Sequence, residues 1–119
     1  ALGLSQIKRL KKILSNKKKL NRYYNQAFKK HSYFKLINET KDKRFNFWLQ
    51  TIVIKKKYSN HINLILNDLY KNNIFLRQGW DLMPSLKFLK KYPSMKLNIA
   101  KNIQKRILHL PSSSFLKKK

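Results

Sequence analysis

The chain has 119 residues, no cysteine and a formal net charge of +25, because 29 basic residues stand against only four acidic ones. This length allows one domain with a single core of modest size, and the lack of cysteine excludes disulfides and thiolate metal sites. No apolar run approaches the roughly 20 residues that span a bilayer, and nothing resembles a signal peptide, which favours a cytoplasmic location. The first residue is not Met, so we expect that an upstream part of the protein has been cut away.

The charge attracts nucleic acid, anionic lipid or acidic partners in general. Of the 29 basic residues 24 are Lys, whereas bidentate recognition of phosphate favours Arg. Such a Lys excess, with abundant Asn and Ile, is also what a nucleotide bias in the coding DNA would produce. Composition therefore leaves open whether the charge is functional or background.

The first half of the chain predicts a long helix and two strands. Residues 2 to about 29 form an amphipathic pattern with two sides, one holding Leu10, Leu14, Tyr24 and Phe28, the other Lys8, Lys12, Lys19 and Arg22. Residues 34–37 predict a short strand, and residues 38–44 a polar turn. Residues 45–54 are almost continuously apolar, which is typical of a central strand covered on both faces.

The second half predicts two helices and one strand. Residues 55–60 supply a charged loop and helix caps, and the helix after them places four apolar residues inward: Ile62, Ile65, Leu66 and Leu69. Asn72 and Asn73 end this helix, since Asn tolerates the left-handed conformation. Residues 74–78 predict a strand that leaves through Gly79 into a loop around Trp80.

The last segment predicts an irregular piece and a helix. Pro84 and Pro93 bracket a short helical or irregular stretch, and residues 97–106 predict a helix with Ile99 and Ile103 inward. Pro111 and three serines end the ordered part, with residues 117–119 as a disordered basic tail. The order of helix, strand, strand, helix, strand and helix predicts a compact α+β domain.

Four motifs occur in a recognisable order. Ala1 to Ile7 reads A-L-G-L-S-Q-I, close to A-L-G-x-x-Q-[LI]; Asn46 to Leu49 reads N-F-W-L, close to N-Y-W-L; Arg77 and Trp80 form R-x-x-W; and residues 106–113 read R-I-L-H-L-P-S-S. Together they resemble the C-terminal end of the DegT/DnrJ/StrS sugar aminotransferases.

This resemblance implies that residues 1–116 are the small C-terminal domain of a fold-type I transferase dependent on pyridoxal phosphate (PLP), with amphipathic helices packed on a short sheet. It also implies a homodimeric cytoplasmic enzyme that moves an amino group, usually from glutamate, onto a nucleotide-linked keto-sugar for polysaccharide or glycan synthesis. The Schiff-base lysine and the phosphate cradle lie mainly in the family's large domain. We therefore expect PLP to bind an upstream domain, and this chain alone to lack catalytic and cofactor-binding residues.

The resemblance singles out two candidate substrate-binding residues, Arg77 and Trp80. Arg77 matches the Arg of the family's T-R-P-x-W stretch, where a guanidinium could pair with a donor carboxylate or a sugar-nucleotide phosphate; the alternative is an Arg bonded to nearby carbonyls or a carboxylate. Trp80 could wall the sugar pocket, although an aromatic residue after a strand more often packs.

The chain departs from the family pattern next to these residues. Gln78 replaces the usual Pro, Pro84 stands where a His commonly faces the substrate, and Lys87 and Leu89 replace the Pro and Tyr that often follow. Any role of that His is therefore lost here, or another subfamily's geometry applies.

Other sites are not predicted. His31, His61 and His109 share no metal-ligand spacing, and His109 is expected to pack or cap within its motif. Gly3 and Gly79 are too far apart for a phosphate loop, and residues 112–114 indicate a turn.

Two alternatives come from the charge. One is a small basic RNA-binding protein, whose Lys residues would neutralise phosphates without sequence preference, although no RNA-binding motif is present. The other is a membrane-surface helix at residues 2–29, which the apolar strands disfavour because they need a globular core.

Overall fold

The computed structural model describes residues 2–116, so the predicted tail at residues 117–119 lies outside the described residues. The structure contains the helices α1 (Leu2–Phe28), α2 (Ile62–Lys71) and α3 (Asn98–Gln104). It also contains the strands β1 (Phe34–Leu36), β2 (Gln50–Ile54), β3 (Arg77–Gln78) and β4 (Ile107–Leu110). Short 3-10 turns lie between them. The α+β prediction is confirmed.

The four strands form one antiparallel sheet in the order β1-β2-β4-β3. Burial alternates along β2 and β4, so one face of the sheet forms the core, with Leu36, Ile52, Ile54, Leu108 and Leu110 joined by Ile62 of α2. Tyr24 and Phe28 of α1 pack on the same cluster. Because alternate residues point to opposite faces, the other face carries a different set of side chains, which forms the candidate site.

The long first helix is confirmed, but its two ends differ in packing. Tyr24 and Phe28 stack with ring centroids 5.6 Å apart, and Phe28 meets Phe34 of β1 edge-on at 4.9 Å. Leu10, which the pattern placed on the inward side, is 47% exposed. The C-terminal half of α1 therefore holds the helix to the sheet.

The predicted central strand at residues 45–54 is too long. The strand begins at Gln50, because Phe47 takes the left-handed conformation with a φ of 53° and so breaks the extended run. Its faces are also unequal, one buried and the other half-buried. The prediction missed β4, which lies between β2 and β3, because the last helix stops at Gln104 rather than Arg106.

Of the remaining predictions, three were wrong or only partly correct, and the predicted end of α2 was correct. The strand at residues 74–78 is reduced to Arg77 and Gln78, and Ile99 is 78% exposed rather than inward. The predicted caps of α2 are also absent, since its N-cap His61 makes no side-chain cap bond. Asn72 and Asn73 do end α2, and Asn73 has a φ of 58°.

Candidate functional site

The sheet face opposite the core carries a row of three polar residues on neighbouring strands. Thr51 of β2 lies opposite His109 of β4, which in turn lies opposite Arg77 of β3. Residues directly opposite each other share a face, with Cβ atoms about 5 Å apart. The row therefore brings a hydroxyl, an imidazole and a guanidinium together, and only Arg77 of the three was a predicted site residue.

His109 is the central residue of this row. Its Nδ1 lies 3.1 Å from the Thr51 Oγ1, and its ring centroid is 6.4 Å from that of Trp80. Burial lowers the pKa of His109 below its ordinary value, because the charged imidazolium loses solvation. At neutral pH the side chain is thus a neutral imidazole with one nitrogen engaged by Thr51.

Arg77 belongs to a short edge strand that Gly79 holds against β4. The Gly79 N–H donates to the Ile107 oxygen at 3.1 Å, and a Cβ at Gly79 would stand 3.0 Å from the Gln104 oxygen. The Arg77 side chain is exposed and makes no hydrogen bond or ion pair with any residue from 2 to 116. Within that range the bonded alternative for this Arg is not observed, and its donors are available to a ligand.

Trp80 lies over the row and meets a second tryptophan. The rings of Trp48 and Trp80 are 5.8 Å apart at an interplanar angle of 57°. The two side chains are 61% and 62% exposed. Trp48 was not a predicted site residue, because the apolar run of residues 45–54 predicted a strand covered on both faces, whereas the strand begins only at Gln50.

Pro84, which stands in place of the family's His, supplies no imidazole to the site. It lies in the 3-10 turn Met83–Ser85, where a missing N–H is tolerated. The imidazole nearest to Trp80 is therefore that of His109, which comes from another strand.

Two concavities lie outside the row, and Trp48 lines the smaller one. A groove of about 890 Å³ runs between α1 and residues 114–116, and its charged lining residues are Arg9, Lys12 and Lys19. A smaller one of about 400 Å³ is lined by residues 44–49, with Arg44 and Trp48 among them.

Lys17 does not fit the role of the Schiff-base lysine in a PLP site. Lys17 is the lysine whose pKa burial lowers, but its Nζ donates to the backbone oxygens of Ser112 at 2.6 Å and Trp48 at 3.3 Å. A Schiff-base lysine needs a free amine and an acid near the pyridine nitrogen. Lys17 instead serves as a clamp between two chain segments.

Metal and membrane sites were also sought. Between residues 2 and 116, no group of three or more His, Cys, Asp or Glu side chains is placed to hold a metal ion. No helix in the same range has the length and apolar character to cross a membrane.

The four-stranded antiparallel sheet with its helices matches a small domain of the aminotransferase fold. A family model of the DegT/DnrJ/EryC1/StrS aminotransferases matches residues 1–119. The chain belongs to the DegT/DnrJ/EryC1/StrS aminotransferase family.

Solved structures share the fold at low sequence identity. PseC of Helicobacter pylori, an aminotransferase involved in the biosynthesis of pseudoaminic acid, matches with a TM-score of 0.88 and 21% identity over 98% of this chain and 32% of PseC. Spr1654 of Streptococcus pneumoniae in its PMP-form matches with a TM-score of 0.83 and 20% identity, over 98% of this chain and 30% of Spr1654. The sugar aminotransferase CalS13 of Micromonospora echinospora matches with a TM-score of 0.80 and 14% identity, over 98% of this chain and 30% of CalS13.

These matches cover nearly all of this chain but only part of each solved structure. The chain spans about a third of the length of the solved structures that it matches. No curated protein sequence matches it.

Proposed function

We propose that this chain is the C-terminal small domain of a PLP-dependent enzyme that transfers an amino group from glutamate to a nucleotide-linked keto-sugar in polysaccharide or glycan synthesis. The observation that carries the proposal is the family match over residues 1–119. The coverage supports the domain assignment, since 98% of this chain corresponds to 32% of PseC. Residues 1–116 are assigned to this domain.

The catalytic machinery is assigned to a large domain outside this chain. Two observations support this: the Nζ of Lys17 is tied to two carbonyl oxygens, and the described carboxylates do not surround it. Spr1654 has been solved in PLP, PMP and apo forms, which supports PLP as the cofactor. When bound, PLP supplies the electron sink and the carrier for the amino group. A homodimer in the cytoplasm is part of the proposal, on the strength of the family resemblance.

The task of this domain is to bind and orient substrate at one side of the active-site cleft, which it closes against the large domain. Arg77 presents exposed guanidinium donors in a planar fork, which suits a phosphate or a carboxylate. Trp80 stands beside it with most of its ring exposed. We assign the phosphate of the sugar nucleotide or the donor carboxylate to Arg77, and the sugar side of the cleft to Trp80.

The RNA-binding alternative rests on the overall charge and on the groove beside α1, whose lining combines Arg9, Lys12 and Lys19 with Tyr23 and Tyr24. The single ion pair among residues 2–116 joins Lys18 and Glu39 at 3.5 Å, so most cations are solvated, as on ordinary helix faces. The sequence has no RNA-binding motif beside this groove, and the family match favours the aminotransferase.

The test uses the whole protein, with this chain behind its own large domain. We expect labelled nitrogen to pass from isotopically labelled glutamate to one of a panel of nucleotide-linked keto-sugars, as detected by mass spectrometry of the product. A protein that binds PLP but transfers no label to any keto-sugar, while aminating a keto-acid, would overturn the sugar assignment.

A further inference from the structure

Trp48 occupies an exposed position that its surroundings enforce. It follows Phe47, a buried residue that is 5% exposed and has a positive φ of 53°. A bulky residue rarely adopts this conformation, and such strain persists where the surrounding structure determines it. The consequence is that Phe47 enters the interior while the next side chain, Trp48, is turned outward.

Three hydrogen bonds fix the backbone of Trp48. Its N–H donates to the Asn46 Oδ1 at 3.0 Å. Its carbonyl oxygen accepts from the Ser112 Oγ at 2.8 Å and the Lys17 Nζ at 3.3 Å. Segments from α1, from the chain before β2 and from the chain after β4 thus converge on one residue whose side chain is 61% exposed.

The two tryptophans form one exposed aromatic surface. Their ring centroids are 5.8 Å apart, and the two side chains are 61% and 62% exposed. Stacking on exposed aromatic faces holds flat rings, and nucleobases above all. Two guanidinium groups suit phosphate: Arg44 lines the concavity beside Trp48, and Arg77 is exposed on β3, opposite the His109 that Trp80 contacts. Asp81, which follows Trp80, makes no ion pair with the described residues.

We infer that Trp48 is a substrate-contacting residue: with Trp80 it forms an exposed aromatic surface that stacks a ring of a nucleotide-linked sugar, while Arg77 pairs with its phosphates. The class of ligand rests on the proposed function, and the contact by Trp48 rests on the geometry. The assignment extends the substrate surface from the β3 exit to the segment before β2. It also gives the strained turn at Phe47 a function, because that turn presents the ring.

The experiment measures equilibrium binding to the whole protein by calorimetry. The probes are the glucose conjugates of uridine, thymidine, guanosine and cytidine diphosphate. We expect the wild type to bind at least one of them saturably, and Trp48→Ala to bind it roughly tenfold more weakly, the loss of one stacked ring. Trp48→Phe keeps an aromatic face and should recover part of the affinity.

Tyr70→Ala is the matched control. Tyr70 is an aromatic residue of α2 with 66% exposure. Its removal therefore changes exposed aromatic surface away from Trp48 and Trp80 and should leave the affinity unchanged. Equal affinities for the wild type and Trp48→Ala would overturn the inference. So would a wild type that binds none of the probes.

The proposed function is checked in parallel by the conversion of bound PLP to PMP by glutamate in the wild type. If that conversion occurs and Trp48→Ala binds like the wild type, the inference alone fails. If it does not occur, the proposed function fails, whatever the binding result.

Discussion

The Nδ2 of Asn21 on α1 donates a hydrogen bond of 2.9 Å to the Oε1 of Gln50 on β2, and the Oδ1 of Asn21 accepts from the Asn25 Nδ2 at 3.1 Å. Asn21 is 8% exposed and Gln50 only 1%. The Nε2 of Gln50 donates to the Lys17 oxygen at 3.2 Å, so both ends of the amide are satisfied. This pair fixes α1 over the start of β2, next to the turn that positions Trp48.

We therefore expect Gln50→Leu to lower the free energy of unfolding by about 2 kcal/mol, because it leaves the Asn21 amide buried without its acceptor. Urea denaturation measures the loss. The double variant Asn21→Leu with Gln50→Leu should recover part of it, since replacing both partners by apolar groups can be nearly neutral. A double variant whose loss equals the sum of the single losses would mean that the two residues are not coupled.

Arg77→Ala in the complete enzyme should lower turnover more than stability. The exposed side chain makes no bond with residues 2–116, whereas losing a charge-assisted bond to substrate costs about 1.5 to 3 kcal/mol. Steady-state kinetics and thermal melts measure the two effects, and Arg77→Lys tests the need for a planar fork. A lowered melting temperature with unchanged kinetics would show that Arg77 is structural.

The row at His109 should make stability depend on pH. Burial lowers the pKa of His109 in the folded state, so below an unfolded pKa of about 6.5 the unfolded chain binds the proton more readily. Stability is therefore full above that pH and falls as the pH drops toward the folded pKa. Thermal melts between about pH 5 and pH 8 for the wild type and His109→Gln measure this, and equal slopes in the two proteins would contradict it.

Moderate salt should stabilise the chain. With 29 basic and four acidic residues, like charges at helical spacing, such as Lys8 with Lys12 and Lys101 with Lys105, repel each other. Melting temperatures at low ionic strength and at roughly 0.15 M, where the screening length is about 8 Å, test this. Lys12→Gln should show a smaller rise than the wild type, and a flat or falling melting temperature would indicate that the charges are paired.

The chain of 119 residues should not bind PLP at one defined lysine. Borohydride reduction and peptide mass analysis should find weak label scattered over surface lysines, because we assign the Schiff-base lysine and the phosphate cradle to another domain. Lys17→Arg should leave the total label unchanged, since the Lys17 Nζ is bonded to two carbonyl oxygens. One cofactor per chain on a single residue would overturn the assignment of the catalytic lysine to another domain.

Local patterns determined the elements that depend on neighbours in the sequence. The extent of α1, most of the apolar face of α2 and the helix end at Asn73 were readable, because spacing and backbone preference act within a few residues. Leu10 and Ile65, both expected inward, are instead 47% and 36% exposed. The order of short motifs was enough to indicate the family. Arg77 and Trp80 were chosen as site residues by that resemblance, and their role as substrate contacts remains a prediction.

Only the tertiary structure decided where the sheet and the site lie. Residues 107–110 form a central strand because they pair with both β2 and β3. Those partners are distant in the sequence, so no local window of residues reveals the pairing. Phe47 is buried in a left-handed conformation, a turn that the apolar run from residue 45 to 54 conceals. Thr51, His109 and Arg77 are up to 58 residues apart and form one row through strand register alone. Register and long-range packing depend on contacts between distant segments, so the chain had to fold before this site existed.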